Sequence, residues 1–176
     1  IGVGGCPNNC MKPDLNDLGI VGQKIPCFET EDCMGCKKCI VEQVCPMGAA
    51  KATEDMLEID KTVCNNCGLC VGQCPFDVVS DYTVGYKIFL GGRWGKKIAI
   101  GKPLDKIFTN KEDVLDTIEK TILLYREQGK TGERLSETIA RIGFENVQKQ
   151  LFSDDLLKRK QAILVAELHM TGGASC

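Results

Sequence analysis

The stretch Cys33-Met34-Gly35-Cys36-Lys37-Lys38-Cys39, running on to Cys45-Pro46, recurs about thirty residues later as Cys64-Asn65-Asn66-Cys67-Gly68-Leu69-Cys70, running on to Cys74-Pro75. Thiolates two residues apart on a tight loop grip three corners of one iron–sulfur cube. The fourth cysteine, set before proline, crosses to the other cube. The doubled spacing therefore predicts two 4Fe–4S clusters, one held by Cys33, Cys36, Cys39 and Cys74, the other by Cys64, Cys67, Cys70 and Cys45. That chemistry belongs to electron transfer. The first run departs from the usual bacterial spacing, with five residues (Ile40 to Val44) before its last cysteine instead of three. The loop is longer and the ligand count unchanged.

Two other uses of cysteine fit less well. A disulfide framework needs an oxidising compartment, and no signal peptide is visible. Neighbouring loops at this spacing would also compete for the same partner. Zinc takes pairs of Cys-x-x-Cys, four ligands to an ion, and has no use for the third cysteine of each run or for the Cys-Pro ending.

The 176 residues suffice for one medium domain, or a compact domain with a small insert. No apolar run reaches membrane-spanning length, so a soluble, cytoplasmic protein is expected. The net charge of −2 conceals an asymmetry. Residues 27–81 hold ten acids against four bases, a net −6, which leaves the remainder at +4. An acidic iron–sulfur module in a basic body suits a basic redox partner and an anionic cofactor, although any single charge also reads as ordinary solvated surface. The chain begins at Ile1 without a methionine, as expected of a fragment or a processed product.

Between the runs, Met56-Leu57-Glu58-Ile59-Asp60 alternates apolar and polar and reads as a short strand. Matching strands are expected at 25–28 and at Val78-Val79. Two cysteine loops, each entering a short helix, with a hairpin at each end, make a ferredoxin module of about 55 residues, too small for much core of its own. Its folding energy must come largely from metal–thiolate bonds. Outside it, the Gly/Pro/Asn loop from Gly4 to Cys10 follows a short strand. Residues 86–90 form a strand that turns at Gly91-Gly92 and returns over 97–100. A helix then opens at a capping box, Thr109-Asn110-Lys111-Glu112, and closes at Gly129, with Val114, Ile118, Ile122 and Tyr125 on one face. Helices follow at 134–142, 145–152 and 154–169. The fold class is α+β: a mixed sheet with helices over 1–23 and 83–176, and an inserted ferredoxin module over 24–82.

Three stretches carry a resemblance: Val3-Gly4-Gly5-Cys6-Pro7-Asn8-Asn9-Cys10, Leu18-Gly19-Ile20-Val21-Gly22 and Tyr86-Lys87-Ile88-Phe89-Leu90-Gly91-Gly92. Together they closely resemble the sirohaem and 4Fe–4S domain of sulfite and nitrite reductases. The likeness runs from residue 1 to about 100 apart from the insert, and more loosely through the next helix. The insert after Gly-Ile-Val-Gly looks like that of the dissimilatory and anaerobic members. The resemblance implies that Cys6 and Cys10 are two of four ligands of a third cube, with Cys10 bridging to the sirohaem iron. A shared thiolate couples cube and haem electronically, so that single electrons reach a substrate needing six. It also implies that glycines and short asparagines such as Asn8 let backbone approach the macrocycle, and that cations bind its carboxylates. Arg93, Lys96, Lys97 and Lys102 are the candidates, Arg93 for its bidentate geometry, while each lysine also reads as a solvated strand residue.

In that family the other cysteine pair and the cations that grip the substrate come from upstream, and the resemblance finds neither in this chain. The chain is therefore expected to be the C-terminal part of a sirohaem reductase, with no nameable catalytic residue. Two ferredoxin clusters would pass electrons to a sirohaem-coupled 4Fe–4S centre that reduces sulfite to sulfide, or nitrite in the alternative. A non-catalytic ferredoxin-type carrier and a protein handing on sirohaem or clusters are the other classes. The expected partners are an electron-donor protein or subunit and sulfite or nitrite, with no nucleic acid and no membrane insertion. Cys27 reads as a surface thiol beside the module, Cys176 as an idle terminal one, and His169 as structural. Trp94 fits core, surface or macrocycle, and Gly91-Gly92-x-x-Gly95 joins two strands, unlike a phosphate loop.

Overall fold

A computed structural model describes residues 1–168, so His169 and Cys176 lie outside the described residues. In chain order the strands are β1 (Gly2–Gly4), β2 (Leu18–Pro26), β3 (Ala50–Ala52), β4 (Leu57–Ile59), β5 (Tyr82–Leu90) and β6 (Lys102–Phe108). The helices are α1 (Ile40–Val44), α2 (Lys111–Gln128), α3 (Leu135–Ile142), α4 (Phe144–Phe152), α5 (Asp155–Lys158) and α6 (Lys160–Val165). The chain divides into two compact units. A body comprises Ile1–Gly4, Cys10–Val21 and the chain from Tyr86 on; a module comprises Gly5–Asn9 and Gly22–Gly85. Among the described residues, no helix is long and apolar enough to cross a membrane.

The sheet has the order β1-β2-β5-β6. It is mixed: β1 lies parallel to β2, with Val3 opposite Ile20, and β5 lies antiparallel to β6, with Tyr86 opposite Phe108. Alternation along β5 and β6 buries Ile88, Leu90, Leu104 and Phe108 on one face. Against these pack Val114, Leu123 and Leu124 of α2, Leu135 and Ile139 of α3, and Val147 and Leu151 of α4. This is an α+β architecture with one apolar core in the body.

The strand expected at 97–100 lies further on. Gly91 turns with φ 78°, and a Cβ at Gly92 would stand 2.2 Å from the Asp14 carbonyl. Gly92 is thus required by the close passage of the 3-10 turn Pro13–Leu15, and Gly91 by its left-handed backbone. Residues 93–99 form a loop clipped by paired hydrogen bonds between Arg93 and Ala99. The apolar residues that can bury, Leu104 and Phe108, come only in β6, while Ile98 and Ile100 remain exposed.

The α2 helix begins and ends as expected, but its cap is Asn110, whose side chain accepts the Glu112 N–H at 3.0 Å. Its buried face lies one residue round from the apolar stripe 114, 118, 122, 125. Val114, Thr117, Thr121 and Leu124 are buried, whereas Ile122 is 56% exposed. Threonine can occupy this face because Thr117 and Thr121 donate to carbonyls four residues back, each at 2.7 Å. The last helix breaks at Arg159 into α5 and α6. Lys120, buried on α2, is balanced by Asp154 at 3.0 Å.

The module has its own small core of Val41, Ala50, Leu57, Val78 and Val79. The β3–β4 hairpin pairs Ala50 with Ile59. At the other end, Cys27 and Glu29 donate to the carbonyls of Asp81 (3.0 Å) and Val78 (2.9 Å). A strand was expected over 25–28; β2 instead runs unbroken to Pro26, and this short pairing continues it.

Candidate metal centres

Within the module the two cysteine runs adopt matching backbones. The third residue of each opening Cys-x-x-Cys is left-handed, Gly35 at φ 56° and Asn66 at φ 55°. The third residue after each Cys-Pro cysteine is left-handed too, Gly48 at 62° and Asp77 at 56°. The corresponding turns close alike, with Gly48 N–H on the Cys45 carbonyl (3.3 Å) and Asp77 N–H on the Cys74 carbonyl (3.2 Å). Such turns fold the chain back so that successive thiols face one side. Gly35 is also required sterically, since a Cβ there would stand 2.3 Å from the Glu54 carbonyl. The five-residue spacer of the first run is taken up by α1, whose N-cap is Cys39 and C-cap Cys45.

Cys33, Cys36, Cys39 and Cys74 line one cavity of about 370 Å³, walled by apolar side chains including Met34, Ile40, Leu57, Phe76 and Val78. Cys36 is exposed and the other three are half-buried. Cys45 does not line this cavity. Its charge acts instead on Cys70. Burial pushes the Cys70 thiol up to about 11, and the charges of Cys64, Cys67 and Cys45 push it the same way. These four thiols therefore share one neighbourhood. At Cys45 burial acts in the same sense but is outweighed by backbone N–H groups of Ala50, Met47, Ala49 and Gly48, so its pKa falls below the ordinary thiol value. Four thiols are the donor set of a 4Fe–4S cluster, and cationic iron would relieve the repulsion felt at Cys70, so the donor chemistry of both groups fits such a cluster. Among the described residues, no three His, Cys, Asp or Glu side chains converge on a single-ion site.

The remaining candidates are less enclosed. Cys6 and Cys10 are both exposed, on the loop after β1. The Cys6 carbonyl accepts the Asn9 N–H (3.1 Å) and the Asn9 side-chain amide (2.6 Å), while Asn8 is exposed. Arg93 is half-buried and pairs with Glu137 of α3 at 3.1 Å. Lys96, Lys97 and Lys102 are exposed, and Lys102 lies over the Phe144 ring at 5.7 Å. Trp94 is 68% exposed, and Cys27 is an exposed thiol. Sequence reasoning passed over Asn66 and the amide cluster at 47–50; the asparagine standing where the first run has Gly35 was the available signal.

A protein with two sets of four thiols on a repeated loop is an iron–sulfur protein of the electron-transfer class. The chain belongs to the family of nitrite and sulphite reductase 4Fe-4S domains, whose model matches residues 1–160. The match continues well past residue 100, to the first residue of α6. It is 27% identical over 162 residues to the coenzyme F420-dependent sulfite reductase of Methanocaldococcus jannaschii, covering 91% of this chain and 25% of that protein. Over 50 residues it is 38% identical to ferredoxin 7Fe of Hydrogenibacillus schlegelii, covering 28% of this chain and 64% of that one. The crystal structure of dissimilatory sulfite reductase I has the same fold, with a TM-score of 0.58 at 23% identity over 85% of this chain and 41% of that one. The chain thus spans a quarter of the methanogen reductase and about two fifths of the solved one.

Proposed function

We propose that this chain is part of a sirohaem sulfite reductase and that it supplies electrons to the reducing centre. The observation that carries this is the cavity ringed by Cys33, Cys36, Cys39 and Cys74, in a chain whose family model spans both the module and the body. Cys33, Cys36, Cys39 and Cys74 would hold one cluster, and Cys64, Cys67, Cys70 and Cys45 the other. Residues 24–82 act as an inserted ferredoxin within a body formed by 1–23 and 83–176. When bound, the clusters supply single-electron steps at potentials set by their surroundings.

Cys6 and Cys10 offer two thiolates toward a third, sirohaem-coupled cube, with Cys10 as the bridging sulfur. Two thiolates are half the donor set of a cube, so the remaining two come from outside this chain. Asn8 and the cations Arg93, Lys96 and Lys97 are assigned to the macrocycle, whose carboxylates would compete with Glu137 for Arg93. The acidic module favours an electron-donor protein or subunit with a basic face.

Iron and haem content test this directly. The chain on its own should bind about eight irons, as two cubes, and no haem. Stoichiometric sirohaem absorption in this chain would overturn the division of ligands. In a complete reductase containing this chain, methyl viologen-driven consumption of sulfite over nitrite is expected. Preference for nitrite would reassign the substrate, and consumption of neither, with both clusters still titrating, would make the chain a carrier.

A further inference from the structure

Asn66 sits between Cys64 and Cys67 with its backbone anchored, its carbonyl accepting the Lys24 N–H at 2.9 Å. Its side chain turns back along the loop, and Oδ1 lies 3.6 Å from Cys64 Sγ. The neighbouring Asn65 is otherwise engaged, its Oδ1 accepting the Cys67 N–H at 3.2 Å. In the first run the place of Asn66 is taken by Gly35, which has no side chain to offer. The two loops share these left-handed turns, and at this position only the second offers an amide to a sulfur.

In the thiol form Cys64 donates to this amide. A sulfur that ligates iron has no proton to give, and two acceptors cannot face one another. The planar amide resolves this by turning over, which exchanges oxygen for nitrogen at almost no steric cost. Nδ2–H then points at the sulfur. We infer that Asn66 is a positioning residue whose amide donates a hydrogen bond to the Cys64 sulfur and raises the reduction potential of the cluster held by Cys45, Cys64, Cys67 and Cys70. The physical cause is that a donor aimed at a ligand sulfur stabilises the more negative, reduced state more than the oxidised one. This rests on the ligand assignment proposed above.

The test is Asn66→Gly, which keeps a residue able to hold φ 55° and removes only the amide. Potentials are read by film voltammetry and by EPR-monitored titration of the reconstituted chain. One potential should fall by about tenfold in the reduction equilibrium, ~59 mV for a one-electron couple, while the other stays in place. Asn66→Asp, which puts an acceptor where the donor stood, should lower the same potential. The Cys36→Ala/Cys74→Ala chain, left with only the second thiol set, identifies which wave belongs to it. Two unmoved potentials, or two that move together, would overturn the role of Asn66 and leave the ligand assignment standing. Failure of the unaltered chain to take up about eight irons would bring down both.

Discussion

Two double substitutions decide whether the cysteine runs are crossed or in line. The cavity of about 370 Å³ contains Cys74 with Cys33, Cys36 and Cys39, and the charges felt by Cys70 include that of Cys45. If the wiring is crossed, Cys36→Ala/Cys74→Ala removes two ligands from one cube and none from the other. About four irons should remain, in a cube with all four thiolates and an unaltered EPR signal. Cys36→Ala/Cys45→Ala removes one ligand from each cube, so no site keeps four thiolates and no unaltered signal survives. The in-line alternative exchanges these outcomes. Iron analysis together with EPR of the dithionite-reduced chains reads both variants, and an intact cube in the Cys36/Cys45 variant refutes the crossed arrangement. The comparison is between two variants lacking the same number of thiols, so general destabilisation cannot imitate it.

Three further outcomes follow from particular contacts. Gly35→Ala places a side chain at φ 56°, a cost of roughly 1–2 kcal/mol, and drives its Cβ against the Glu54 carbonyl. It should lose about half the iron, from the Cys33/Cys36/Cys39/Cys74 site, as read by iron analysis. Leu124→Ala, at a fully buried position of the body core, should cost about 2–5 kcal/mol in thermal unfolding of the helices followed by circular dichroism, with iron content unchanged. The Arg141 guanidinium, aided by the Lys130 N–H and the Thr138 hydroxyl, holds the Glu133 carboxyl at about 2, below the ordinary 4.5. A depressed carboxylate contributes stability above its unfolded value and loses it as pH falls from about 4.5 toward 2. The stability difference between the unaltered chain and Glu133→Gln should therefore shrink across that window; a constant difference would show that the ion pair is not responsible.

The cysteine pattern was legible because ligand spacing is local: three thiols at x2 intervals need only one loop, and each loop carries its own left-handed residue. The α2 helix was legible in extent, since Asn110 and Gly129 punctuate it, but only half in orientation. Of the apolar stripe, Val114 and Ile118 meet the core while Ile122 and Tyr125 are exposed, and Thr117 and Thr121 go inside, their hydroxyls satisfied by their own helix. The returning strand was misplaced for a similar reason. Residues 97–100 have strand-like composition, yet the pairing of β5 begins only at Lys102, after a loop clasped by the turn at Pro13–Leu15.

Donor number, donor chemistry and the repeat that organises them are written in the order of residues along the chain, because thiol type and loop spacing are properties of a few consecutive positions. Which fourth thiol shares a chamber with which three is another matter. Cys45 and Cys74 lie at the ends of similar loops, yet Cys45 caps α1 and takes backbone N–H groups at 47–50, while Cys74 lines the cavity with the first three thiols. So too with Asn66, an ordinary turn residue in one dimension. It becomes an amide beside a sulfur only once a backbone hydrogen bond from Lys24, forty-two residues away, holds its loop in place. Such neighbours arise from packing over long separations, where no local propensity acts.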